Sequence, residues 1–105
     1  MPLFAFHCRD GENAAALRER DLQAHLDHVE ANIDRYAVAG PLKRGEDTVG
    51  SLLVLKGESE DDARAFFERD PYFIAGVWQA IRVDEFLSVA GDWVGGAAWK
   101  AAKSG

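Results

Sequence analysis

Few side chains in this 105-residue chain exchange a proton near neutrality, and the three histidines His7, His25 and His28 are the first to consider. His25 is the best placed. It lies at the margin of an apolar stripe formed by Leu22, Leu26 and Val29, so helical geometry leaves it half-buried. An imidazole in that setting, oriented by a carboxylate, serves as a general acid or base. Asp70 is the candidate carboxylate: Pro71 follows it, and proline disfavours helical geometry in the residue before it. A helix carrying Phe66 and Phe67 is therefore expected to end near Asp70 and to leave its side chain exposed at the break. His28, one turn beyond His25, is expected at the surface. His7 falls on a predicted strand and could line a sheet face. Ser51, Tyr36 and Tyr72 bring hydroxyls that could reach a pocket, although packing is their commoner use.

Other chemistries lack their residues. His25 and His28 have the i, i+3 spacing of a metal pair, but no further His, Cys or Glu cluster completes a coordination set, so no metal is expected. There is no Gly-x-Ser-x-Gly, no phosphate-cradling loop and no dinucleotide fingerprint, so no cofactor is expected either. The lone Cys8 reads as a small buried hydrophobe on a strand, and its solitude agrees with a reducing compartment. A net charge of -6 and a pI near 4.9, with acids and bases interspersed, weigh against a nucleic-acid partner. Met1 to Phe6 lacks a basic leader, and no apolar run is long enough to cross a bilayer; the expectation is a cytoplasmic protein with no membrane partner.

The elements that must position these residues follow from periodicity. Leu3 to Cys8 alternates as a strand with Phe4, Phe6 and Cys8 on one face and Leu3, Ala5 and His7 on the other. Asn13 is a plausible cap for a helix from Ala14 to about Arg35, whose stripe Ala15, Leu22, Leu26, Val29 and Ile33 should pack on a sheet. Ala37 to Leu42 is extended and interrupted by Gly40-Pro41, and Arg44 to Asp47 makes a hairpin-like turn. Ser51 to Leu55, within Val49 to Lys56, is apolar toward both faces and reads as a central strand. Ser59 can cap a second helix with Asp62 three residues on, and Ala63, Phe66 and Phe67 give that helix its apolar face. Gly76 turns the chain into a long strand, Val77 to Val89, with Val77 and Ile81 on one side, Trp78 and Ala80 on the other, and a bulge or bend partway.

This order, strand-helix-strand-strand-helix-strand, is the α+β, ferredoxin-like βαββαβ pattern with a four-stranded antiparallel sheet and both helices on one face. Residues 1–90 form that domain and residues 91–105 a tail carrying Trp93 and Trp99. Because the strands are apolar toward both faces, the uncovered face calls for a partner, and the expected one is a second copy: a homodimer packed sheet on sheet. The alternative is a monomer whose tail folds over that face through Trp93 and Trp99.

Four pieces carry a family resemblance: His25-Leu26 in the first helix, Ala39-Gly40-Pro41-Leu42 after it, Gly50-Ser51-Leu52-Leu53-Val54 at the central strand, and Asp70-Pro71-Tyr72 followed by Ala75-Gly76-Val77. In order and spacing the chain resembles the YciI-like (YCII-related) proteins of the dimeric α+β barrel superfamily over Leu3 to Val89. The resemblance implies a His-Asp pair, His25 and Asp70, facing a pocket between helices and sheet. His7, Ser51 and Tyr72 are then candidate substrate-binding residues. One departure stands out: the family usually has an arginine three residues before the helix histidine, where this chain has Leu22, with Arg18 and Arg20 nearby on the helix. The implied function is a cofactor-free enzyme of lyase or isomerase type, acting by acid/base chemistry on a small cyclic or aromatic molecule. The alternative is a non-catalytic small-molecule-binding or interaction domain on the same fold.

Overall fold

A computed structural model describes residues 1–100 and has the expected architecture. Strand β1 (Leu3–Asp10) leads to helix α1 (Ala14–Ala31), then β2 (Tyr36–Arg44), β3 (Asp47–Lys56), α2 (Glu60–Phe67), a short α3 (Pro71–Ala75) and β4 (Trp78–Phe86). The four strands form one antiparallel sheet in the order β2-β3-β1-β4, so β1 and β3 are central. Pro41 lies in β2, an edge strand, where its missing N–H removes no ladder bond the sheet needs. Two two-residue strands, β5 (Ala90–Gly91) and β6 (Gly96–Ala97), make a small hairpin in the tail. The last five residues of the expected tail, 101–105, lie outside the described residues. Among the described residues no helix is long and apolar enough to cross a membrane.

The inner face of the sheet builds the core. Phe4, Phe6 and Cys8 alternate toward it from β1, and Leu53 and Leu55 from β3. Ala63, Phe66 and Phe67 of α2 close over them. Phe67 stacks on Phe6 at 4.5 Å and on Trp78 at 5.3 Å between ring centroids, and each such buried ring contributes roughly 1.5–3 kcal/mol. Ser59 caps α2 as expected: its Oγ accepts from the Asp62 N–H at 3.1 Å, while the Asp62 carboxylate accepts from Glu58 N–H at 3.0 Å, one residue before the cap. Cys8 is fully buried, and burial pushes its thiol up to about 12, which keeps it inert.

Several expectations need correction. The first helix stops at Ala31 and continues only as a 3-10 turn, Ile33–Arg35. Its buried side keeps only Val29 of the apolar stripe: Leu22 and Leu26 are 48% and 47% exposed and Ala15 and Ile33 face solvent, whereas Ala14, Leu17, Arg18, His25 and His28 are turned inward. His28 is accordingly no surface residue; its ring stacks on Phe66 at 5.3 Å and its Nε2 is buried without a partner. Proline after Asp70 ends nothing, because α2 is already finished at Phe67; Asp70-Pro71 instead begins α3, with Asp70 as N-cap and Pro71 in the first turn, where its lost N–H costs no helical bond. Gly76 closes α3 in the left-handed conformation, φ 81°. The bend in the last strand falls at its start: Arg9 pairs with Ala80 but Asp10 with Trp78, so Gln79 is the extra residue of a bulge. That bulge returns Trp78 to the inner face beside Ile81 and Val83, against the alternation expected of it.

Candidate active site between α1 and the sheet

Helix α1, strand β2, the inner face of β3 and Trp78 at the start of β4 border a cavity of about 220 Å³. Arg18, His25, Tyr36, Ser51 and Trp78 line it, with Leu26, Val29 and Pro41 at its apolar walls. Two of the candidates meet directly. His25 Nδ1 lies 2.8 Å from Asp70 Oδ1, although the residues are 45 apart in sequence. Asp70 is 1% exposed rather than displayed at a helix break, because its Oδ1 turns back to cap α3, accepting the Tyr72 N–H at 2.8 Å. With Nδ1 given to the carboxylate, His25 keeps Nε2, which has no protein partner among the described residues and is not among the buried unpartnered atoms, so it is the nitrogen a ligand can reach.

Tyr72 fixes the geometry from below. Its ring stacks on the His25 imidazole at 3.9 Å with the planes only 3° apart, and its hydroxyl donates to the Arg18 carbonyl at 3.1 Å. Burial raises its phenol pKa, so it stays a neutral donor. Tyr72 is thus a buried support for the imidazole rather than a wall of the cavity. Burial likewise pushes the Tyr36 phenol up, the Asp70 carboxylate adding to the effect. Ser51 does line the cavity, and its Oγ accepts from Arg18 Nη2 at 2.9 Å. His7 does not join this group. Strand alternation puts it on the opposite face of the sheet, exposed, opposite Arg82 on β4.

Arg18 is the residue whose role here the helix stripe concealed. Its Nε and Nη2 hold the two oxygens of Asp10 at 2.9 and 2.8 Å, and Nη2 also reaches the Gly50 carbonyl at 3.1 Å. Gly50 permits this close packing of strands, since a Cβ there would collide with the Cys8 carbonyl oxygen. The signal was present in the spacing: Arg18 and His25 are seven residues apart, two helical turns, and therefore share a face. Among the described residues no three His, Cys, Asp or Glu side chains come together as a metal site.

With this geometry in view, the family model for the YCII-related domain matches residues 2–87. The chain belongs to the YCII-related family. A solved structure similar to this YCII-related chain is the 5-chloro-2-hydroxyhydroquinone dehydrochlorinase TftG from Burkholderia phenoliruptrix AC1100, in complex with 2,5-dihydroxybenzoquinone. It is 29% identical, with a TM-score of 0.72 over 85% of this chain and 95% of that one. No curated protein matches this family member.

Proposed function

We propose that this YCII-related protein is a cofactor-free enzyme in which His25 transfers protons to and from a small oxygenated ring while Asp70 orients and charge-compensates it. The observation that carries the reading is the 2.8 Å contact of His25 Nδ1 with a buried carboxylate beside a cavity that Nε2 can reach. A cavity of about 220 Å³ also suits one substituted ring, because roughly 150 Å³ is enough to take up benzene. In the step itself, Nε2 accepts a proton from a ring carbon or hydroxyl, the bonding pair stays on the ring as an enolate or phenolate, and the imidazolium is stabilised by Asp70. The imidazolium then returns the proton to another ring atom, an isomerisation, or the enolate expels a leaving anion, an elimination. TftG, similar in fold and sequence, is a dehydrochlorinase of a hydroxylated ring, which supports the second course.

A structural reading competes, favoured by the second duty of Asp70 as the cap of α3. The test is to melt and assay each variant against a panel of hydroxylated rings and small cyclic acids. His25→Ala is expected to stay folded and lose turnover, and Asp70→Asn to lower the rate by about 10²-fold or more. Unfolding of His25→Ala, with no ring bound by the wild type, would sink the catalytic reading. We further infer that the working form is the homodimer, sheet on sheet. Leu3, Ala5, Val38, Leu52 and Phe86 face outward around an open groove of about 660 Å³, which the tail hairpin borders without filling; Trp93 there is 85% exposed. Sedimentation as an 11.5 kDa particle at micromolar concentration would exclude it.

A further inference from the structure

The cavity is lined by a guanidinium as well as by the His25 imidazole, and the surroundings of that guanidinium bear on which rings the cavity accepts. Arg18 borders the cavity together with Ser51 and lies over the Tyr72 ring, its guanidinium carbon 5.4 Å from the ring centroid. Three of its contacts occupy Nη2 and one occupies Nε; Nη1 has no partner among the described residues and is not buried, so it remains free to donate. Ser51 Oγ accepts from Arg18 and so keeps its own proton for a ligand. Both side chains line the cavity that His25 also lines.

The guanidinium charge is already compensated: the Asp10 side chain is 8% exposed and grips it with both oxygens. A ring carboxylate entering here would give up its hydration to reach an arginine whose charge is matched, with Asp10 repelling it. A ring hydroxyl or quinone oxygen meets no such cost and still receives the hydrogen bonds. As charge builds on that oxygen during proton loss, the same donors tighten on it.

We propose that Arg18, held by Asp10 and backed by Ser51, is the specificity-determining group of this site: it binds a ring oxygen, and its compensation by Asp10 selects rings bearing hydroxyl or quinone oxygens over rings bearing carboxylates. The proposal rests on the His25 reading for the reaction that follows binding but concerns binding alone.

The experiment measures calorimetric binding of phenol, benzoate and toluene at neutral pH to the full chain. Wild type is expected to bind phenol in preference to both others. Asp10→Asn leaves Arg18 uncompensated and should shift the preference toward benzoate by about tenfold or more. Arg18→Met leaves Asp10 buried and unpaired, so the double variant Arg18→Met/Asp10→Asn is used with it; it should bind phenol about ten- to a hundredfold more weakly and no better than toluene. A wild-type preference for benzoate, a preference unchanged in Asp10→Asn, or no binding of any ring overturns the proposal. The same titrations on His25→Ala, set beside its turnover assay, separate the two readings: a retained preference for phenol over benzoate together with unchanged turnover would refute the acid/base role and leave the specificity role standing.

Discussion

The two long-range partners of the sheet's inner face, α1 and α2, use opposite logic. Helix α2 turns Ala63, Phe66 and Phe67 inward and its charges outward, as an amphipathic helix on a sheet should. Helix α1 turns Arg18, His25 and His28 inward and leaves Leu22 and Leu26 at the surface. The difference has an energetic cause. Arg18 and His25 can be buried under α1 because each meets a polar partner from elsewhere, Asp10 and Ser51 for Arg18 and Asp70 for His25. His28, by contrast, is held by stacking on Phe66 with its Nε2 unpartnered. The helix that packs by burial stabilises the fold; the helix that packs by hydrogen bonds and stacking borders a cavity and lines the candidate site.

The largest effect expected from this contrast belongs to α2. Phe66 is fully enclosed, stacked on His28, edge-on to Tyr36 at 5.7 Å and under the Arg35 guanidinium at 4.6 Å. Phe66→Ala is expected to cost about 3–5 kcal/mol in chemical denaturation, with a loss below about 1 kcal/mol contradicting the assignment of the core to this helix.

How far the chain's behaviour could be read from its residues follows the same division. The strands, the α2 face and its Ser59 cap, and the family were legible because period and burial agree there. On α1 they disagree: its stripe of Leu22, Leu26 and Ile33 has helical period but loses the inner face to residues whose partners are 8 to 45 positions distant. Pairing at that distance leaves no periodic trace. The His25 and Asp70 pair was suggested by the family pattern, but the burial of Asp70 was not, because Asp-Pro is equally a stop and a start, and α3 is only five residues long. Trp78 was misplaced by a single residue, Gln79, since one bulge inverts every alternation beyond it.

A smaller effect sharpens the comparison through pH. Burial lowers the His28 pKa, with Arg69 and His25 acting in the same direction and Asp70 against them. The unfolded chain therefore takes up this proton at a higher pH than the folded one. The stability contributed by neutral His28 is complete above the ordinary histidine range, near pH 6.5, and is lost as pH falls through it toward the lowered value. His28→Gln removes that titration, so the difference in melting temperature between wild type and variant should narrow from pH 7.5 to about pH 5.5. A gap that widens on acidification would mean that His28 is held in its charged form.

The smallest effect is the one an amphipathic reading of α1 would least allow. Leu22 stands where the family resemblance would imply an arginine, in the middle of the expected apolar stripe, yet about half of it is in water. Position 22 precedes His25 by three residues and so lies some 60° around the helix from it, whereas Arg18, two turns away, lies within about 20°. A guanidinium at 22 would therefore start farther from the cavity than the one already held there by Asp10. Leu22→Arg is expected to change stability by no more than about 0.5 kcal/mol, since it exchanges an exposed helix former for another. Introduced together with Arg18→Met/Asp10→Asn, it should fail to restore phenol binding. Recovery of that binding would show that α1 can present its other face to the sheet, and the contrast between the two helices would fall with it.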